Sequence, residues 1–220
     1  VTSTTENYLK AIITTAEGRD SDLVGLGELA KTLALTPGTI TTMVRGLRDA
    51  GFVEYMPRTG VRLTERGKRE ALSVLRRHRL IELFLVQVLG LDWSDVHQEA
   101  EELEHAMSDR LLERIDEVLG HPTEDPHGDP IPRPGADLPE LAGTNLSEVE
   151  APAHLRITRV EHEESSFLDY LKETGLTPGN DIFLSERNEA AGTLTLQRAG
   201  SETTISIRAA AKIRTVKTSD

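Results

Sequence analysis

Residues 36–63 read TPGTITTMVRGLRDAGFVEYMPRTGVRL, and this run decides how the N-terminal part of the chain folds. Thr36 stands before Pro37 and Gly38, which makes it an N-cap with proline in the first helical turn, where a missing N–H costs little. From Pro37 to Ala50, Ile40, Met43, Val44 and Leu47 recur at helical spacing, while Thr39, Thr41, Thr42, Arg45 and Arg48 form the other face. Gly51 ends the helix as a C′ glycine. Phe52 to Met56, Pro57 to Gly60 and Val61 to Leu63 then read as strand, turn, strand. Upstream, Tyr8, Leu9, Ile12 and Ile13 predict a helix over Glu6 to Ala16 capped by Thr4 or Thr5, and Leu26, Leu29, Ala30 and Leu33 predict a short one over Gly25 to Leu35. Helix, helix, turn, helix, hairpin is a winged helix-turn-helix. Its third helix enters the major groove of DNA, and its hairpin tip, Arg58 here, reaches a neighbouring backbone or minor groove.

The net charge of −12 weighs against nucleic acid as a sum, but not as a distribution. Residues 1–70 hold ten basic against nine acidic side chains, residues 71–120 five against eleven, and residues 121–220 ten against seventeen. Within the first part, Thr36 to Arg69 carries seven basic and three acidic residues, so this is the part suited to a phosphate backbone. A winged helix that binds only proteins is the competing reading. With 220 residues and 37% hydrophobic content the chain has material for two or three small folding units. No run approaches the roughly eighteen apolar residues of a membrane span. Val1 to Lys10 lacks a secretory pattern, so a soluble cytoplasmic protein with no membrane partner is expected. The absence of cysteine excludes disulfides, thiolate metal sites and cysteine nucleophiles, leaving nitrogen and oxygen to ligate any metal.

From Thr64, a further N-cap, a long helix is predicted to Leu89, with Gly90 ending it and another helix beginning near Ser94. His78 and Glu82 are four residues apart on the first, and His97 and Glu101 four apart on the second. With His97 at zero and about 100° per residue, Glu101, Glu104 and His105 fall at roughly +40°, −20° and +80°. That stripe abuts an apolar seam of Val96, Ala100, Leu103, Met107 and Leu111, while Asp95, Glu99, Glu102 and Asp109 face solvent. Between Arg79 and Arg110 there is no lysine or arginine, so something other than a local side-chain cation is expected to balance these carboxylates. Imidazole with carboxylate suits a divalent first-row metal: Mn²⁺ or Fe²⁺ in the cell, with Zn²⁺, Co²⁺, Ni²⁺ and Cd²⁺ as substitutes in vitro. The competing account is a solvated helix face with two satisfied histidines. His121, His127, His154 and His162 fall in loop or domain-edge sequence and read as surface residues.

An enzyme of the carboxylate-bridged dimetal type would need two helical Glu-x-x-His motifs. Glu102 to His105 supplies one, but Glu124 to His127 sits among prolines, so an enzyme is not expected. A winged-helix regulator sensing an organic ligand is a third reading. His121 to Pro152 holds seven of the ten prolines and reads as an ordered loop followed by a tether. Strands are predicted at Leu155 to Val160, Asp181 to Arg187, Thr193 to Arg198, Thr203 to Arg208 and Lys212 to Val216, with a helix at Ser165 to Thr174. Together they suggest a small barrel.

The runs Arg77-His78-Arg79-Leu80-Ile81-Glu82, Gly90-Leu91-Asp92, Val96-His97-Gln98-Glu99-Ala100-Glu101, Leu103-Glu104-His105-Ala106-Met107-Ser108-Asp109 and Asp125-Pro126-His127-Gly128-Asp129-Pro130-Ile131-Pro132 together resemble the diphtheria toxin repressor family. These are iron- or manganese-dependent transcriptional repressors, and the resemblance covers essentially the whole chain. It implies a winged helix over 1–70, a metal-binding and dimerisation domain over 71–140, a tether over 141–152 and an SH3-like, FeoA-like β-barrel over 153–220. It also implies a homodimer on double-stranded palindromic operator DNA, repressing genes of divalent metal uptake. The implied ancillary metal site is His78, Glu82 and His97, completed by Glu164 or alternatively Glu163, with Phe167 or Ser166 at the position of a further ligand. The implied primary site is Asn7, Glu101, Glu104 and His105. Iron-responsive members carry a thiol where Glu101 stands and a thioether where Asn7 stands, so the oxygens here place the chain nearer the manganese transport regulator type, with an iron-responsive repressor as the alternative. Lys10 stands where one manganese-type branch has a carboxylate, which argues against that branch's bridged metal pair. For DNA, Thr36, Pro37, Thr39 and Thr42 are the expected base readers, and Arg45, Arg48, Arg58 and Arg62 the phosphate contacts.

Overall fold

The computed structural model describes residues 1–19, 21–161 and 165–218. It divides into two compact units: residues 1–81, 101–118 and 131–140 form the first, and residues 82–100, 119–130 and 141–220 the second.

The first unit contains α1 (Ser3–Ala16), α2 (Leu26–Thr32), α3 (Pro37–Asp49), β1 (Val53–Met56), β2 (Gly60–Leu63), α4 (Glu65–Gln87) as far as Ile81, the end of α5 (Val96–Leu103), and α6 (Asp109–Val118). α1 starts a turn earlier than expected because Thr2, not Thr4 or Thr5, caps it, accepting from the Thr5 amide at 3.3 Å. α2 stops at Thr32 because Ala34 takes a left-handed φ of 51°. Thr36 caps α3 as its position requires, accepting from the Thr39 amide at 3.2 Å. At the far end Gly51 has φ +77°, and the Phe52 amide reaches back to Leu47 O at 2.9 Å, closing the helix in the Schellman manner. β1 and β2 pair antiparallel from Val53 against Leu63 to Met56 against Gly60, and Val24 adds a bridge to Val61. Leu9, Ile12, Leu29, Ile40, Val44, Val61 and Ala71 are buried in one core, so α1 to α4 and the hairpin fold around a common centre.

α4 meets the hairpin through backbone. The Thr64 hydroxyl donates to Gly51 O at 2.9 Å and accepts from the Gly67 amide at 3.1 Å. A Cβ on Gly67 would lie 1.9 Å from Phe52 O, so glycine is what allows the helix to approach this closely.

In the second unit one sheet runs in the order β3 (Thr144–Asn145), β8 (Ile213–Lys217), β4 (Ala153–Val160), β5 (Asp181–Asn188), β6 (Thr193–Arg198), β7 (Ser201–Ser206), and all neighbours are antiparallel. The expected barrel does not close: β3 and β7 are open edges among the described residues. β3 is two residues long, and β7 runs straight into α8 (Ile207–Ala210), which Ser206 caps by accepting from the Ala209 amide at 3.1 Å. The strand predicted over Thr203 to Arg208 therefore ends at Ser206. Segment 141–152, expected to be a tether, supplies β3 and buries Leu146 and Val149 in the core with Leu155, Ile157, Leu184, Trp93 and the inner face of α7 (Ser165–Thr174).

Two glycine substitutions are expected to act oppositely in thermal melts. Gly46, exposed within α3 with open space at its Cβ position, should gain up to about 1 kcal/mol as Gly46→Ala. Gly67→Ala should lose roughly 3 kcal/mol, the upper end for overpacking, because its contact is backbone. Equal stabilities would show that the approach of α4 to Phe52 is not tight.

Candidate metal centres and nucleic-acid interface

The expected primary-site residues come together in the first unit. α1 presents Glu6, Asn7 and Lys10 along one side. The partner residues do not lie on a continuous helix as the periodicity implied. α5 ends at Leu103, and Glu104 to Ala106 form a turn in which the Ala106 and Met107 amides both reach Leu103 O, at 3.0 and 3.2 Å. The turn carries Glu104 inward, where its side chain is 0% exposed. A carboxylate at such depth has to be compensated. The Lys10 Nζ lies 2.7 and 2.8 Å from its two oxygens and 2.6 Å from Glu101 Oε1. His78 Nδ1 lies 2.7 Å from Glu104 Oε2, and with a carboxylate as partner it is the nitrogen that donates. The missing cation of the acidic segment thus comes from α1, more than ninety residues away in sequence.

His105 is oriented from both sides. Its Nδ1 is 2.6 Å from Glu6 Oε2, while its Nε2 is 2.6 Å from Asn7 Oδ1 and 3.4 Å from Glu104 Oε1. Both nitrogens thus face acceptor oxygens; were the proton kept on Nδ1 by Glu6, Nε2 would be the nitrogen offered to a metal between Asn7 and Glu104, the carboxylate–histidine arrangement that orients a metal ligand. Arg77 fixes Glu6 in turn, 3.1 Å from its other oxygen, and donates to Glu104 O at 3.2 Å. Glu6 and Arg77 were not legible as site residues, since both support the donors without being of the expected ligand pattern.

A second donor group lies in the second unit. Glu82 Oε1 accepts from His97 Nδ1 at 3.1 Å, and Glu82 Oε2 stands 3.9 Å from His127 Nδ1. Asp125 Oδ1 is 4.0 Å from the same nitrogen, and the three ligand atoms offered by Glu82, Asp125 and His127 all lie within 4.8 Å of one another. His127 was read as a surface residue, but it is 1% exposed, stacked on Trp93 at 5.3 Å. The Asp125-Pro126-His127-Gly128-Asp129 turn explains why. Asp125 Oδ1 accepts from the His127 and Asp129 amides at 2.8 and 3.0 Å, and Gly128, at φ +85°, brings the turn against Thr158 O, where a Cβ would sit 2.0 Å away. His127 Nε2 faces the Trp93 carbonyl at 3.0 Å, so Nε2 carries the proton and the Nδ1 lone pair points at Glu82 and Asp125. Burial lowers the His127 pKa, offset in part by Glu82, Asp129 and the Trp93 carbonyl. Divalent cations hold oxygen and nitrogen at about 2.0 to 2.3 Å, which these separations accommodate after small side-chain adjustments. Glu163, Glu164 and His162 lie outside the described residues. Ser166 is exposed, and the Phe167 ring packs under Lys212 at 5.3 Å. His121 and His154 are exposed as expected.

On α3, Thr36, Pro37, Thr39 and Thr42 are exposed, with Thr36 Oγ1 2.9 Å from Thr39 Oγ1 and the Thr42 hydroxyl donating to Gly38 O at 3.1 Å. Arg45 is exposed on the same helix; Arg48 pairs with Asp49 at 2.7 Å and Arg62, on the hairpin, with Glu54 at 2.6 Å. Arg58 occupies the hairpin turn with φ 70°.

Residues 1–61 match the N-terminal DNA-binding domain of iron-dependent repressors, 64–133 their metal-binding and dimerisation domain, and 144–216 the FeoA domain. The iron-dependent repressor IdeR of Mycobacterium tuberculosis is 32% identical over 187 residues, 80% of each chain. The diphtheria toxin repressor of Corynebacterium diphtheriae is 32% identical over 203 residues, 92% of this chain and 84% of that one. A manganese-dependent transcriptional repressor in complex with manganese superimposes with a TM-score of 0.90 at 35% identity, covering 97% of this chain and 100% of that one. The manganese regulator SloR gives 0.81 at 31% identity, with 97% and 98% covered. The protein is therefore a metal-dependent transcriptional repressor built on a winged helix. It belongs to the diphtheria toxin repressor family.

The buried His127 gives stability a sign with pH. Its imidazole is neutral in the fold, so below about pH 6.5 the unfolded chain binds a proton that the folded one resists, and stability falls as pH drops. Thermal melts in chelator between pH 7 and 5 should show this fall, and His127→Gln should flatten it. Identical slopes would remove His127 as the source.

Proposed function

We propose that this repressor is activated by a divalent first-row cation, with manganese ahead of iron, and that as a cytoplasmic homodimer it occupies palindromic operator DNA of divalent-metal uptake genes. The donor set carries this reading. Asn7 Oδ1, Glu104 Oε1 and His105 Nε2 converge beside Glu101 and His78, in a chain without cysteine. Oxygen and imidazole nitrogen make a hard site, suited to Mn²⁺ or Fe²⁺ in the cell and open to Zn²⁺, Co²⁺, Ni²⁺ and Cd²⁺ in vitro. The likeness to a repressor described as manganese-dependent supports the first metal; relatives named iron-dependent repressors keep iron as the alternative. Glu82, Asp125 and His127, with His97 on Glu82, are a second candidate site for the same class of cation.

A bound cation would supply positive charge shared between α1 and the turn after α5. Asn7 belongs to the helix that also buries Leu9 and Ile12 in the winged-helix core, so a link to Glu104 and His105 bears directly on that core. The ion favours the DNA-competent arrangement only by binding it more tightly, and DNA raises metal affinity by the same factor. For the dimer, Leu103, Leu111 and Val118 are 39, 50 and 61% exposed and so available to a partner, and Val88, Leu89 and Leu91 are also exposed. Leu83, Leu85, Val96 and Ala100 are buried within the chain and would not belong to that surface. On DNA, Thr36, Pro37, Thr39 and Thr42 would meet base edges; Arg45, Arg48, Arg58 and Arg62 would meet phosphates, with Arg48 and Arg62 exchanging exposed carboxylate partners that contribute little. The dimetal-enzyme reading loses its motif, because α5 ends between Glu102 and His105.

Chelated protein should bind a promoter fragment of a metal-uptake operon weakly, and anaerobic Mn²⁺ should restore binding at lower free concentration than Fe²⁺. The reverse order would make it an iron regulator, and equal binding with and without chelator would reject the metal switch. Glu104→Gln should raise the Mn²⁺ needed by more than about 100-fold, beyond the effect of losing an outer partner. Unchanged activation in this variant would move the site elsewhere.

A further inference from the structure

Two carboxylates stand on the DNA-facing elements, where a phosphate-binding surface has least use for them. Asp49 follows Thr42 by seven residues on α3, which at about 100° per residue sets it within roughly 20° of the same side, in line with an expected base reader. Glu54 stands directly across from Arg62 in the β1–β2 register, on the solvent side of the hairpin, since the neighbouring Val53 and Val61 are buried. Each carboxylate uses one oxygen to hold the Nε and an Nη of an arginine. Asp49 Oδ1 accepts from Arg48 at 2.9 and 2.7 Å, and Glu54 Oε2 accepts from Arg62 at 2.8 and 2.6 Å. That covers one of the edges through which a guanidinium grips phosphate in two bonds. Glu54, with a smaller contribution from Asp22, also pushes the Arg62 pKa above its ordinary value. Arg45 and Arg58 differ, for neither has a carboxylate partner among the described residues. The four arginines expected on phosphates are thus of two kinds, two ready and two neutralised.

We propose that Asp49 and Glu54 raise the specificity of this repressor for its operator: they keep Arg48 and Arg62 closed on loosely fitted DNA, and yield them only where operator phosphates lie close enough to take their place. This rests on the reading of α3 and the hairpin as the DNA surface and adds which charges count on which DNA. Both pairs are exposed, so a well-aligned phosphate can open them at little cost. Once opened, each carboxylate is left beside the DNA backbone and repels it, so opening is favoured only where the new contact is close. A pair that stays closed is neutral and releases no counterions from the duplex. Non-specific binding consists almost wholly of that release, and so it loses these contacts entirely, whereas operator binding gains them and keeps its base contacts as well.

The test measures binding of the full chain, saturated with Mn²⁺, to a promoter fragment of a metal-uptake operon and to a scrambled duplex of the same length, each over a series of salt concentrations. In the wild type, log K should fall more steeply with log salt on the promoter fragment than on the scrambled duplex. A slope no steeper on the promoter overturns the proposal without any variant. Glu54→Gln and Asp49→Asn keep the side-chain shape and remove the charge. On the scrambled duplex each should steepen the slope by about 0.9 per chain, the value of one phosphate contact, with a smaller change on the promoter, so that the ratio of the two affinities falls. Equal changes on both duplexes, or none on either, in variants with native circular dichroism would sink the idea. Arg45→Gln and Arg58→Gln separate the two levels: each should flatten both slopes, and if neither does, the reading of this face as the DNA surface fails, and not merely the role of its carboxylates.

Discussion

The candidate metal centre of the first unit depends on how the charge of Glu104 is compensated. Its carboxylate is fully buried, and an uncompensated ion at that depth would cost several kcal/mol. The compensation comes from two separate helices, Lys10 on α1 and His78 on α4, while the adjacent Arg77 of α4 holds the main-chain carbonyl of Glu104. None of these groups can be withdrawn without exposing the others to the same penalty, so the turn after α5, the first helix and the long helix are held by one electrostatic unit. The same unit leaves His105 Nε2 and Asn7 Oδ1 turned toward each other, which is what makes it a site as well as a clamp.

Local signals were well preserved in the sequence. Thr36, Pro37 and Gly51 specify their helix ends through bonds made within a few residues, and the hairpin and α7 follow from alternation and spacing that no distant contact overrides. Of the candidate site residues, Glu101, Glu104 and His105 were legible as types in a pattern, whereas Asn7 came only with the family resemblance, which assigned the four to one site. What escaped was decided over distance or by one turn. Helical periodicity runs on through Glu104 and His105 in the sequence, but the break after Leu103 is driven by burying a carboxylate whose cation lies on α1. Likewise nothing near His127 marks it as internal, because its burial depends on Trp93 and on a glycine seated against Thr158. The open sheet was missed because alternation predicts strands and not whether their outermost edges meet.

The two donor groups differ in how their histidines are prepared. His105 is oriented by a carboxylate, Glu6, and offers Nε2; His127 is oriented by a main-chain carbonyl and offers Nδ1. The first ring is held by a charged partner, whereas burial keeps the His127 pKa below the usual histidine value. Two candidate sites for one class of cation thus orient their histidines by unlike partners, a side-chain carboxylate in one and the main chain in the other.

The backbone contact at Gly67 has a mechanical consequence. α4 runs from that contact to His78, eleven residues or about 16 Å along a single helix. At one end it rests on the peptide of Phe52, at the root of the wing, with no side chain between to deform; at the other its imidazole grips the Glu104 carboxylate. A rod seated on bare backbone has little slack. If the proposed ion acts through Glu104, this helix would carry its adjustments toward the wing as displacement rather than lose them in side-chain rotation, with the glycine contact at Phe52 as the bearing.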